Sequence, residues 1–152
     1  MAKYINASEF EKLTIQHYQL LIDEFGFIIN KIGDWSFSLE TENARVFLLV
    51  EHATLLTVAI EPIGKGASQL LRQNILPKGI EVVVISMCLD PNLHYSVAKL
   101  DNKGIAHDIP TEMKRRAVLL KKYCEKMLNG DFSDWGTIEN CMSTRAYDFL
   151  GI

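Results

Sequence analysis

Between positions 35 and 63 the chain reads WSFSLETENARVFLLVEHATLLTVAIEPI, and its apolar and polar positions alternate in the way strands require. Trp35, Phe37 and Leu39 alternate with Ser36, Ser38 and Glu40, the period of two that gives a strand one dry face. Thr41, Glu42 and Asn43 supply a turn of hairpin length. Over positions 45–50 the chain is apolar at both parities, with Val46, Leu48 and Val50 facing one way and Phe47 and Leu49 the other. That pattern predicts a central strand covered on both sides. After a second polar turn, Leu56, Val58 and Ile60 alternate again, and Pro62 and Gly64 end the run. The stretch reads as an antiparallel meander.

The flanks read as helices that need a sheet to lie on. Over positions 8–25, Phe10, Leu13, Thr14, His17, Tyr18, Leu21 and Phe25 share one helical face. Ser8 and Glu11 have capping-box spacing, and Gly26 follows where a left-handed residue closes a helix. Positions 27–32 then predict a first strand. After the meander, Gly64-Lys65-Gly66-Ala67-Ser68 reads as a flexible turn before a short helix over 69–75. The β-branched run at 82–85 predicts a strand reaching toward Cys88. Positions 95–100 and 105–107 are expected to pair across Asp101-Asn102-Lys103-Gly104, with Gly104 left-handed in a bulged hairpin. A second long helix starts near Pro110 and runs to the stop signal Asn129-Gly130. Within it Met113, Ala117, Leu120, Cys124 and Met127 recur at intervals of four and three, with Arg115, Lys122 and Lys126 opposite. The tail from Ser133 predicts a last short helix with Trp135 and Ile138 facing inward. No repeat or linker interrupts the pattern. The 152 residues are therefore expected to form one α+β domain, an antiparallel sheet with a long N-terminal and a long C-terminal helix packed on one face.

Composition narrows the function classes. Apolar residues are 48% of the chain and charged residues 23%, the balance of a globular domain with a real core. A net charge of -3 gives no reason to expect nucleic acid as a partner, since those domains are strongly basic. No run approaches the roughly 18 apolar residues of a membrane span, so no membrane contact is expected. The opening MAKYINASEF lacks the apolar core of a signal peptide. Three cysteines at wide spacing, Cys88, Cys124 and Cys141, predict reduced thiols in a cytoplasmic protein.

Candidate chemistry is sparse. The glycines of the 64–68 segment invite a phosphate-loop reading, but the G-x-x-x-x-G-K-[ST] spacing is missing and a turn explains them. His17, His52, His94 and His107 stand apart from one another and from any cysteine at metal-ligand spacing, so no metal or cofactor is expected. A cysteine nucleophile would have to come from Cys88 with His94 or His107 and Asp108. Cys88 ends an apolar run, however, where cysteine is commonly a small buried hydrophobe. Six basic residues from Lys114 to Lys126 read as a solvated outer face rather than an RNA-binding helix, because the domain as a whole is acidic. The segment Gly130-Asp131-Phe132-Ser133-Asp134-Trp135 is the most distinctive. Either Ser133 or Asp134 caps the last helix while the aromatics anchor it. On the functional reading, Asp131, Asp134 and Trp135 form an acidic, aromatic edge for a basic protein partner.

The order of features resembles a group of small bacterial proteins that includes immunity proteins of polymorphic toxin systems. Phe10, Tyr18 and Leu21 leading into Glu24-Phe25-Gly26-Phe27, the meander, and Met127-Leu128-Asn129-Gly130 through Trp135 carry the likeness. It implies a non-enzymatic cytoplasmic module that binds and blocks a partner toxin. The rival readings are a small hydrolase or ligand-binding domain with a pocket between sheet and helices, and a purely structural subunit.

Overall fold

A computed structural model describes residues 5–52, 54–95, 99–101, 104–106 and 108–145. Helix α1 (Ala7–Phe25) is capped by Asn6, whose side chain accepts from the Glu9 N–H at 2.8 Å while Glu9 Oε1 accepts from the Asn6 N–H at 3.3 Å. The capping box thus lies upstream of the expected Ser8–Glu11 pair, because Glu11 is drawn instead to Lys31 on the sheet at 3.5 Å. Gly26, at φ 72°, closes the helix as expected.

Strands β1 (Ile28–Gly33), β2 (Ser36–Glu40), β3 (Ala44–Glu51) and β4 (Leu55–Pro62) form the meander, and β5 (Ile80–Glu81) adds a short antiparallel edge in the order β1-β2-β3-β4-β5. The register aligns Phe37 with Leu48 and Val58, and Leu39 with Val46 and Ile60. All six are buried and form the dry face of the sheet. The opposite face aligns Ser38, Phe47 and Ala59, and Ser36, Leu49 and Thr57. Phe47 and Leu49 remain half-buried there, so the expected double cover of β3 is not met. On the dry face, by contrast, Phe10 of α1 packs on Phe37 with ring centroids 5.5 Å apart. At one end of this open face Arg45 bridges Glu40 at 2.7 Å and Glu61 at 3.2 Å.

Two middle elements differ from expectation. Helix α2 (Gly64–Arg72) already includes the segment read as a flexible turn. Ile63 donates its N–H to the Asn43 carbonyl at 2.9 Å, which holds the start of α2 against the β2–β3 turn. Gly64 sits at φ 54°, and a Cβ there would overlap the Glu42 carbonyl oxygen. Gly64→Ala therefore combines left-handed strain of about 1–2 kcal/mol with a forced backbone shift, a total loss above about 2 kcal/mol. Urea denaturation will read it as a lower midpoint; an unchanged midpoint would show that the turn yields freely.

The β-branched run predicted as a strand is helix α3 (Val82–Leu89). Glu81 caps it by accepting the Val83 N–H at 3.0 Å. Val82, Val83, Ile85, Ser86 and Met87 are all buried, and wholesale burial overrides the weak helix propensity of valine. Strands β6 (Lys99–Asp101) and β7 (Gly104–Ala106) form the expected antiparallel pair, but Asp101 and Gly104, expected in the turn, face each other inside the ladder. The intervening Asn102 and Lys103, the 96–98 segment and His107 lie outside the described residues.

The second long helix is divided into α4 (Ile109–Tyr123) and α5 (Glu125–Leu128) by a break at Cys124. Its predicted stripe of Met113, Ala117, Leu120, Cys124 and Met127 is buried throughout. Tyr18 ties α1 to α4 by donating to the Met113 carbonyl at 3.0 Å. Helix α6 (Trp135–Thr144) closes the described chain, with Trp135 and Ile138 inward as expected. Cys141 on α6 forms a disulfide with Cys88 on α3, at a Cα–Cα distance of 5.9 Å. The expectation of three reduced thiols fails here, and with it the inference from thiols to the cytosol. Only Cys124 is free, and it is buried. No helix among the described residues is long and apolar enough to cross a membrane.

Candidate functional site

The segment singled out in the sequence, 130–135, links α5 to α6. Asp131 accepts the Ser133 N–H at 3.0 Å, and this bond holds its carboxyl below the ordinary carboxylate range. Asp131 is thus exposed and charged. Asp134 precedes α6, but its carboxylate turns to Lys126 at 3.1 Å instead of capping the helix. Its charge is largely offset. Trp135 is fully buried, edge-on to Phe132 with ring centroids 5.2 Å apart. The indole is therefore a core anchor, and the edge expected to present Asp131, Asp134 and Trp135 presents only carboxylates.

Beside this loop lies an open cleft of about 620 Å³. Three separated segments meet there: the end of α1 with the start of β1, the β2–β3 turn, and the end of α5. Phe25, Ile28 and Leu128 give it an apolar lining, while Glu42, Asn43 and Asn129 bring polar groups. Glu40 also lines it, but the Arg45 guanidinium beside it holds its carboxyl below the usual range and takes up its charge. Glu42 is exposed and forms no ion pair among the described residues. Thr41 Oγ1 is used internally, accepting the Asn43 and Ala44 N–H groups at 3.3 and 3.2 Å. Asn43 Oδ1 is buried and has no hydrogen-bond donor among the described residues. No histidine, cysteine or lysine among the described residues lines the cleft.

The other candidate residues are dispersed. Cys88 is consumed in the disulfide, and Asp108 caps α4 by accepting the Thr111 N–H at 3.3 Å. The cysteine nucleophile considered with His94 or His107 and Asp108 therefore has no free thiol at Cys88. His52 is an exposed turn residue at φ 53°. His17 is half-buried on α1, and burial followed by the nearby Lys114 charge lowers its pKa. Among the described residues no group of three or more His, Cys, Asp or Glu side chains is placed to hold a metal ion.

One charged cluster escaped the sequence reading. Arg116, expected on the solvated face of α4, is 1% exposed. Its Nε donates to Glu81 Oε1 at 3.3 Å, and its Nη1 lies 3.2 Å from Glu112 Oε2. Glu81 also accepts the Val58 N–H at 2.8 Å, joining β4 to α3 and α4. Tyr95 donates to Glu112 at 2.7 Å, and the Arg115 guanidinium lies 4.0 Å over the Tyr95 ring. The i,i+4 spacing of Glu112 and Arg116, beside the apolar Met113 and Ala117, was the available signal. The cluster fastens elements together and opens onto no described cleft.

Comparison with protein-family models, with curated proteins and with solved structures finds no match for the chain.

Proposed function

We propose that the protein is a non-enzymatic binding module that engages a basic region of a protein partner through the cleft and the adjoining α5–α6 loop. A blocking role of the immunity-protein kind follows from the resemblance read in the sequence. The observation that carries the reading is the pairing of an apolar-lined cleft with two exposed carboxylates, Glu42 on its rim, which forms no ion pair among the described residues, and Asp131 just beyond Asn129. Apolar surface anchors a partner segment, while rim carboxylates steer a basic one.

The test starts with recovery of a stoichiometric partner from native lysate. Glu42→Lys should then weaken its binding by about tenfold, about 1.4 kcal/mol, and leave the melting temperature unchanged. Equal affinity of the variant and the parent would remove the cleft from the interface. Asp134→Lys is the poorer probe, since it sets two lysines against each other at Lys126. The cleft's volume also falls within the small-molecule range of about 300–1,000 Å³, which keeps a ligand-binding reading in view. A rise in melting temperature with a small-molecule panel, abolished by Ile28→Glu at an exposed lining position, would favour that reading.

A further inference from the structure

A second surface lies away from the acidic cleft, along the middle of α1 and α4. His17 and Leu20 on one helix and Lys114, Ala117, Val118 and Lys122 on the other line a groove of about 460 Å³. Its floor is aliphatic, and Val118 is 57% exposed in mid-helix with lysines one turn to either side. Its rim is cationic. Lys121 is matched by Glu24 at 3.1 Å, but Lys114 and Lys122 form no ion pair among the described residues. Lys122 instead leans over the Tyr123 ring, 5.2 Å from its centroid, and acts on Asp90 at longer range. The half-buried His17 beside Lys114 is biased toward the neutral imidazole, which leaves the lysines to set the sign of the rim.

An aliphatic floor flanked by exposed lysines that form no ion pair among the described residues is the complement of an amphipathic helix with acidic flanks. Lys114 to Lys122 covers about 12 Å of helix axis, the length over which two turns of a docked helix present apolar side chains at i, i+3 or i+4, and i+7. We infer that the α1/α4 groove docks an acidic amphipathic helix of a protein partner, with its apolar stripe on Leu20, Ala117 and Val118 and its carboxylates on Lys114 and Lys122. The inference is independent of the acidic cleft, which has the opposite charge and shares no lining residue with the groove.

The test uses two helical peptides of about 16 residues, one of Ala, Leu and Glu with leucine at every third or fourth position, the other with Lys in place of Glu. Fluorescence anisotropy should show saturable binding of the Glu peptide to the parent protein and none of the Lys peptide. The double variant Lys114→Glu/Lys122→Glu should lose the Glu peptide by more than about tenfold and gain the Lys peptide. Both positions are exposed, and thermal melting checks that the fold is kept. Glu42→Lys, in the acidic cleft, should leave Glu-peptide binding unchanged. Three results would each overturn the inference: no saturation below about 1 mM, equal binding of both peptides, or tighter binding to phosphatidylglycerol vesicles or single-stranded RNA than to the Glu peptide.

Discussion

Arg116→Ala will lower the unfolding free energy by about 3–5 kcal/mol at neutral pH, the cost of stranding a buried ion's partners. Among the described residues the guanidinium is the only cation touching both Glu81 and Glu112. Glu112 keeps Arg115 at 3.2 Å, while Glu81 keeps only the backbone N–H groups of Val58 and Val83. Even with Arg116 present, burial raises the Glu81 pKa above its ordinary value of 4.5. A carboxyl group with a raised folded pKa takes up its proton more readily when folded. Its ionisation therefore removes stability as pH climbs from the unfolded value through the folded one, and the stability returns as pH falls. Loss of Arg116 raises that pKa further, so the deficit will be largest near neutral pH and will shrink as pH falls toward the ordinary carboxylate range. Adding Glu81→Gln should recover part of the loss at neutral pH and little at low pH. Denaturant titrations at several pH values read all of this. A deficit independent of pH would mean that Arg116 acts through packing alone.

Reducing the Cys88–Cys141 bond will cost about 4 kcal/mol, from the chain entropy released when a loop of sequence separation 53 is opened in the unfolded state. Cys88→Ser should show the same loss and no further response to reductant. The remaining thiol, Cys124, is buried, and burial pushes its pKa far up, so it should not react in the folded protein. The check is denaturant unfolding with and without dithiothreitol, together with mass-spectrometric counting of alkylated thiols. Three alkylated cysteines in the unreduced, unfolded protein would show that the bridge is not formed. A bond that persists favours an oxidising compartment over a reducing one.

The meander was legible because one-sided burial writes itself into alternation, at Phe37 and Leu39 on one strand and at Leu56, Val58 and Ile60 on another. Along β3 the same reading went one step too far. Phe47 and Leu49 are apolar yet only half-buried, on the face opposite the buried Val46, Leu48 and Val50. Positions 82–85 are apolar throughout, which suits a buried helix as well as a strand. What decides between them is the Glu81 carboxylate at the Val83 N–H, a choice that periodicity cannot register. The disulfide was hidden by an odd cysteine count, and no spacing marks two helices that meet only in space. Of the candidate site, the exposed carboxylate of Asp131 was readable from its loop setting, while Trp135 belonged to the core. The cleft itself was not readable. It exists because residues near 25–30, 40–43 and 128–129 converge, and nothing local to any one of them announces the other two.

The sheet occupies one uninterrupted stretch of chain apart from the short β5, but the helices that dry its inner face come from before and after it. Severed at Ile63, the N-terminal fragment would bring Leu39, Val46, Leu48 and Ile60 into water without α3 and α4, at about 1.5–3 kcal/mol for each side chain fully uncovered. Contiguity in the gene therefore confers no autonomy: the strands can be copied out as a unit, yet they hold their shape only while both ends of the polypeptide are present to roof them.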